Sequence, residues 1–413
     1  MKYILINFLL LFQINYSNIY SQNKLSNSHA LNFDSTSDYF DSLNLNIYKT
    51  SPNYKKTNFI NFPKLSDSLI IENLFELNSK TPINLTFNES VRHFIEIYTV
   101  KSRNQTSKML GMSKYYFPIF EEILAKHNLP LELKFLPIIE SSLKPKARSP
   151  VGATGLWQFM YSTALENNLK ISSYVDERMD PYLSTEAACN FFKTSYEIYG
   201  DWLLVLASFN SGRGNVNKAI RRSGGKKSFW EIQSFLPKET RNYIPAFIAV
   251  CYSMNYNKIH EIYPNEYLFS FNETDTIEVK YRVNLNYLKD ILQIPLSDLA
   301  NLNPSYKYNI IPKINGEKYF LRLPIDKLGT FISNENFIYE HFKKIDIEQK
   351  TNYPKYFDKV DRYVFTVSKG DYLGKISLKF NCKIEEIKKW NNLKTDKIFV
   401  GQKLVLYVRP DLI

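Results

Sequence analysis

The sequence predicts a mainly helical domain over 85–262, followed by small α+β modules of the strand–helix–helix–strand kind. Three observations predict it. From Asn88 to Asn257 the apolar residues recur at helical spacing. In that span the glycines Gly152, Gly155, Gly212, Gly214, Gly224 and Gly225 fall between the helical runs, as loop residues do. Beyond Pro264 short alternating runs take over, which are strand signals.

Taken in order, Lys2 and the apolar run Tyr3 to Phe12 read as an export signal ending near Ser21. At about ten residues the run is too short to span a bilayer. A buried N-terminal helix or strand is the competing reading. Residues 22–84 are rich in Asn, Ser, Lys and Tyr and predict an irregular leader, with a short helix over Leu65–Leu77. Asn88 is placed to cap a helix whose apolar face is Val91, Phe94, Ile95 and Tyr98. Further helices are predicted over Tyr115–His127, Leu131–Ser142, Thr185–Tyr199, Trp202–Ser208, Val216–Arg222 and Lys238–Asn257, with Pro145 expected to stop the third of the series. Residues 263–352 carry alternating runs at Ile277–Val283 and Tyr319–Leu323. The last module, 360–409, has a strand at Tyr363–Val367, a Gly370-Asp371 turn, a helix over Ile384–Trp390, a break at Asn391 and a closing strand over Lys403–Val408.

The 413 residues suffice for two or three domains, and a 44% hydrophobic content supports real cores. Cys189, Cys251 and Cys382 neither form a disulfide scaffold nor match a zinc spacing, and the five histidines are scattered, so no metal or cofactor is predicted. A net charge of +12 attracts polyanions, among them nucleic acid, anionic lipid and a cell wall whose peptides carry carboxylates. The export signal and the lack of a nucleic-acid motif count against the first. The basic cluster Lys218, Arg221, Arg222, Lys226 and Lys227 reads as a solvated face.

The chemistry centres on Glu140-Ser141, which closes the apolar run Phe135-Leu136-Pro137-Ile138-Ile139. Downstream come Gly155-Leu156-Trp157-Gln158, Ala207-Ser208-Phe209-Asn210-Ser211-Gly212 and Tyr243-Ile244-Pro245. A carboxylic acid in an apolar setting stays protonated and can donate its proton to a glycosidic oxygen. Ser141 follows it, and by itself reads as an ordinary serine at a helix C-terminus. The amides of Gln158 and Asn210 and the Tyr243 hydroxyl suit an acetamido sugar beside it. A lone glutamate at a helix end is ordinarily a solvated surface residue; the accompanying motifs reverse that reading.

These motifs, in this order and spacing, resemble the catalytic domain of the soluble lytic transglycosylases, a goose-lysozyme-like family, and within it the membrane-bound type D branch. The resemblance implies a lysozyme-like α fold and cleavage of the β-1,4 bond between N-acetylmuramic acid and N-acetylglucosamine. It implies that the substrate's own 2-acetamido oxygen replaces a second carboxylate, that Ser141 orients the Glu140 carboxyl, and that Glu140 acts first as acid and then as base to close a 1,6-anhydro ring. Phe209 stands where the family often has tyrosine, and Trp157 where it often has methionine. Trp157 is read as core. Asp176, Glu177, Arg178 and Asp180 are read as caps and ion pairs of the loop before the Thr185 helix, the alternative being a second acid hidden among them.

The 360–409 pattern resembles a LysM module, which implies glycan binding, with Gly370, Asp371 and Asn391 as its candidate residues. Leu296, Leu299 and Asn303 match Ile384, Ile387 and Asn391 at one offset of 88 positions, so 263–352 is read as a degenerate relative, or else as an unrelated α+β connector. The expected partner is the glycan strand of peptidoglycan, and the expected place the periplasm or cell envelope. If retained, the N-terminal segment would also associate the chain with a membrane. A hydrolytic muramidase and a non-catalytic wall-binding protein are the alternatives.

Overall fold

The computed structural model describes residues 65–408 except 268, 350, 352, 358–360, 381 and 392. The export signal and most of the leader lie outside the described residues. Among the described residues no helix is long and apolar enough to cross a membrane.

The helical domain begins with α1 (Asp67–Asn78), which buries Ile70 and Leu74 in the main core. The end of the leader is therefore packed together with the domain. Asn88 caps α2 (Glu89–Glu96) by accepting from Val91 N at 2.9 Å, a bond of about 1 kcal/mol. A π-helical turn over Ile97–Lys101 leads into α3 (Arg103–Lys126), which starts twelve residues ahead of the predicted Tyr115 and accommodates Pro118 in its interior. A 3₁₀ turn over Leu131–Phe135 precedes α4 (Leu136–Ser141). Pro145 does not stop this helix. It ends earlier, where Ser142 (φ 51°) and Leu143 (φ 58°) turn left-handed and the Ser142 and Leu143 amides return to Ile138 O and Pro137 O.

After α5 (Tyr161–Glu166), helix α6 spans Pro181–Tyr199. It starts four residues before the predicted Thr185, because Asp180 caps it through Tyr182 N and Leu183 N and Pro181 sits where no N–H is needed. Helices α7 (Trp202–Ser211), α8 (Arg213–Arg222), α9 (Phe229–Ile232) and α10 (Lys238–Asn255) complete the domain. Helix α10 is buried along most of its length and forms the central post of the core.

Behind it, β1 (Thr274–Glu278), β2 (Val283–Asn284), α11 (Leu285–Leu292), α12 (Leu296–Leu302), β3 (Ile310–Ile311) and β4 (Phe320–Pro324) form a small module, to which α13 (Ile325–Ser333) and α14 (Glu335–Glu348) are added. β1 and β4 pair antiparallel, Ile277 opposite Leu321. The last module is β5 (Asp361–Thr366), α15 (Leu373–Phe380), α16 (Ile384–Trp390) and β6 (Lys403–Val408), with β5 and β6 antiparallel and a core of its own.

The 88-position repeat has a physical basis. Asn303 Nδ2 donates to Leu299 O and Arg322 O, and its Oδ1 accepts from Arg322 N. Asn391 does the same with Ile387 O, Val405 O and Val405 N. In both modules one asparagine clamps the end of the second helix to the closing strand, using both amide hydrogens.

The first small module is joined firmly to the helical domain. Asp176 N donates to Ser305 O (2.9 Å), Lys307 N to Tyr174 O (2.8 Å) and Lys307 Nζ to Ser172 O (2.6 Å). Beneath this seam lies a buried ion pair, Asp176–Arg178, at 2.8 Å.

Candidate active site

The site is assembled from the end of α4, the turn at 155–158, the end of α7 and the first turns of α10. Glu140 is the penultimate residue of α4, and its Oε1 accepts from Tyr243 OH at 2.5 Å. Burial pushes its carboxyl up to about 8. The Tyr243 hydrogen bond opposes that rise and the charge of Glu239 adds to it. Near neutral pH the group is therefore an acid that still holds its proton, and the residue retains some exposure through which a substrate can reach it.

Ser141 is buried, and its Oγ lies 2.9 Å from both Pro137 O and Leu156 O. Its proton goes to these carbonyls and not to the Glu140 carboxyl, so it ties α4 to the 155–158 turn. That turn needs Gly155. At φ 91° it is left-handed, and a Cβ there would lie 1.7 Å from the Arg178 carbonyl oxygen. Gln158, itself at φ 49°, donates from Nε2 to Gly155 O (2.8 Å) and Ala147 O (3.2 Å). Both its amide hydrogens are taken, so what it offers a ligand is the acceptor Oε1. Trp157 is fully buried, donates to Thr185 Oγ1, and meets Phe120, Phe192 and Phe209 edge-on. Phe209 packs against Phe159, Phe191 and Phe192 as well, so the ring position is kept although it has no hydroxyl.

Asn210 Oδ1 accepts from Thr240 Oγ1 at 2.8 Å, and its Nδ2 lies 3.5 Å from Glu239 Oε1. Glu239, Thr240 and Tyr243 stand on one face of α10, at i, i+1 and i+4. Tyr243 thus holds the acid while Glu239 and Thr240 hold Asn210. Sequence reasoning missed Glu239 and Thr240. The signal was available, since Glu239 precedes Tyr243 by one helical turn.

Opposite effects are expected from the two neighbours of the acid. Glu239→Gln removes a negative charge and should lower the Glu140 pKa. Tyr243→Phe removes a hydrogen bond to the carboxylate and should raise it further. The basic limb of the pH–rate profile, where activity falls as Glu140 deprotonates near pH 8, should shift down in the first variant and up in the second. Shifts in the same direction would contradict this geometry.

The loop before α6 is structural. Asp176 and Arg178 are buried. Burial alone would push Asp176 up, but hydrogen bonds and charge from Arg178, with Lys307 and Arg148, hold it below the usual carboxylate range. Asp180 is the cap of α6. In the last module Gly370 is left-handed (φ 87°), and Asp371 accepts from Ser368 N and Lys375 Nζ, which fixes the turn. Asn391 is the clamp described above. These three residues are parts of one module frame and lie apart from the Glu140 cleft. Among the described residues no group of His, Cys, Asp or Glu could hold a metal ion.

Residues 117–232 match the Transglycosylase SLT domain family, 273–340 the LysM-like domain of lytic transglycosylase MltD, and 365–406 the LysM domain. The chain is 30% identical over 297 residues to the membrane-bound lytic murein transglycosylase D of Escherichia coli, covering 68% of this chain and 61% of that protein. It is 30% identical over 117 residues to the soluble lytic murein transglycosylase of Salmonella typhimurium, covering 27% of this chain and 18% of that one. Among solved structures, the 70 kDa soluble lytic transglycosylase of Escherichia coli aligns over 35% of this chain and 24% of its own, at 24% identity and a TM-score of 0.31, a partial likeness that adds nothing to the domain matches. Residues 117–232 are thus similar to the Transglycosylase SLT domain family, and the stretches behind them to the MltD-type LysM-like domain and the LysM domain.

Proposed function

We infer that this chain is an exported lytic transglycosylase of the cell envelope, cleaving the β-1,4 bond between N-acetylmuramic acid and N-acetylglucosamine in peptidoglycan. The observation that carries the reading is Glu140, a carboxyl kept protonated by burial and held at 2.5 Å by Tyr243. Glu140 protonates the leaving oxygen. The 2-acetamido oxygen of the substrate supports the developing positive sugar, with its N–H directed to an acceptor such as Gln158 Oε1. Glu140, now a carboxylate, takes the proton of the C6 hydroxyl as that oxygen closes the 1,6-anhydro ring. The proton lost at the first step is regained at the last, and no water is consumed.

Hydrolysis is the second reading. Asp176 and Asp180, the acids that could have supported it, are committed to an ion pair and a helix cap. One observation still favours it, the Glu239 carboxylate close enough to raise the pKa of Glu140. Digestion of purified sacculi separates both enzymes from a wall-binding protein: soluble fragments are expected, and a binding protein would release none.

The LysM domain is expected to hold the enzyme on the wall, raising local concentration without adding to the chemistry. Deleting the chain from Tyr363 onward should weaken retention on sacculi and slow turnover there, while leaving the rate on short soluble glycans unchanged. Undiminished retention would remove the LysM from this account.

A further inference from the structure

A cavity of about 790 Å³ lies where the SLT domain meets the LysM-like domain. Glu140, Gln158, Asn210 and Tyr243 do not line it, so it is separate from the catalytic cleft. One wall comes from α3 and residues 165–183, the other from β1, residues 302–306 and the approach to β4. The seam beside it is fixed by the Asp176–Ser305 and Tyr174–Lys307 backbone bonds and by the buried Asp176–Arg178 pair. The space is therefore a built feature of the junction. Its volume falls within the roughly 300–1,000 Å³ of small-molecule sites, which favour domain interfaces.

The lining combines two kinds of surface. Tyr182, Tyr306 and Phe320 contribute rings, and Phe320 remains 47% exposed. Among these rings stand the carboxyls of Glu177 and Asp180 and the guanidinium of Arg322, the last lying over the Tyr182 ring at 5.4 Å. Burial pushes Glu177 up to about 7, so near neutral pH its carboxyl can both donate and accept hydrogen bonds, and burial raises Asp180 as well. An apolar ligand would displace water from these charged and polar groups without replacing its hydrogen bonds, which is costly. The charges of the lining nearly balance, with Lys170, Lys318 and Arg322 standing among Glu177, Asp180, Asp275 and Glu317, so the cavity selects no strongly charged ligand. A sugar ring meets both requirements, with a C–H face for the rings and hydroxyls for the carboxyls and the guanidinium.

We propose that this junction cavity is a second glycan site, which takes a neutral, β-1,4-linked amino-sugar segment away from both the catalytic cleft and the C-terminal LysM domain. The proposal rests on the peptidoglycan reading above. Because hydrogen bonds join the two domains at this seam, a strand bound here is tethered near Glu140, and engagement of both places reinforces binding by effective concentration.

Hydrogen–deuterium exchange of the full chain carrying Glu140→Gln, with and without a tetrasaccharide of N-acetylglucosamine, tests it. Protection is expected over 177–183 and 317–322 in addition to the cleft. Adding Phe320→Ala or Glu177→Gln should raise the sugar concentration needed for half-protection of these segments about tenfold, the loss expected for one good contact. Phe320 is largely exposed, so that variant should retain its fold. Unchanged exchange at both segments while the cleft is protected overturns the proposal, as does junction protection that neither variant alters. If wild-type protein also releases no fragments from sacculi, the functional reading fails with it. Fragment release without junction protection defeats the second site alone.

Discussion

Glu140→Gln should abolish fragment release, with kcat lowered roughly 10²–10⁴-fold or more, while the folded structure is kept. Glutamine preserves the shape and an acceptor for the Tyr243 hydroxyl, but it has no proton to deliver and none to take back. Stability should respond in the opposite sense to activity. The folded pKa of Glu140, about 8, lies above its ordinary value of 4.5. The folded protein then binds more protons at this site than the unfolded chain between those pH values, so stability is fully present below about pH 4.5 and is lost as pH rises toward 8. The glutamine variant does not have this loss. Its melting temperature at pH 7 to 8 should equal or exceed that of the wild type, and the difference should vanish near pH 4. A variant that is inactive and also markedly less stable at neutral pH would show that Glu140 serves the fold and not the chemistry.

Asp176→Ala should have the largest effect on stability. Arg178 is 3% exposed and donates to Asp176 through Nε and Nη2, at 2.9 and 2.8 Å. Through Nη1 it also reaches Gly152 O and Phe159 O, so it ties the loop that contains Gln158 to the seam with the LysM-like domain. Removing the carboxylate leaves a buried guanidinium with no opposite charge, a change that costs about 3–5 kcal/mol. Chemical denaturation of full-length protein measures it. A loss below about 1 kcal/mol would mean that the pair is solvated in solution. Because the Gln158 turn rests on this network, catalytic efficiency should fall as well, although Asp176 takes no part in the chemistry.

The part of the fold read correctly from the sequence is the part governed by local pattern. The apolar face of α2, the range of α10, the Asn88 cap and the strand–helix–helix–strand order of the last module follow from periodicity and from residues close in the chain. Asn303 and Asn391 were visible as a repeat because each clamp joins elements within one small module. The errors have long-range or conformational causes. Helix α3 begins well before Tyr115 because tertiary packing of Met109 and Leu110 outweighs the polar character of its first turns. Helix α4 ends on left-handed Ser142 and Leu143, a conformation those residue types do not announce. Within the site, Glu140 and Tyr243 could be named from motifs, but their contact across 103 positions could not. Ser141 and Gln158 are motif residues whose hydrogen bonds turn out to serve the turn that frames the cleft. Glu239 escaped notice because no motif contained it, though helical spacing relative to Tyr243 placed it beside the acid.

The central claim is that Glu140 acts without a water nucleophile, and the reducing ends of the products report on it directly. Purified peptidoglycan digested by the wild-type protein in ¹⁸O-labelled water should give fragments ending in 1,6-anhydromuramic acid, lighter by one water than hydrolytic products and free of label. Fragments with ordinary reducing ends carrying ¹⁸O would contradict the claim and make the enzyme a muramidase, with Glu239 the first residue to test as the base that activates water.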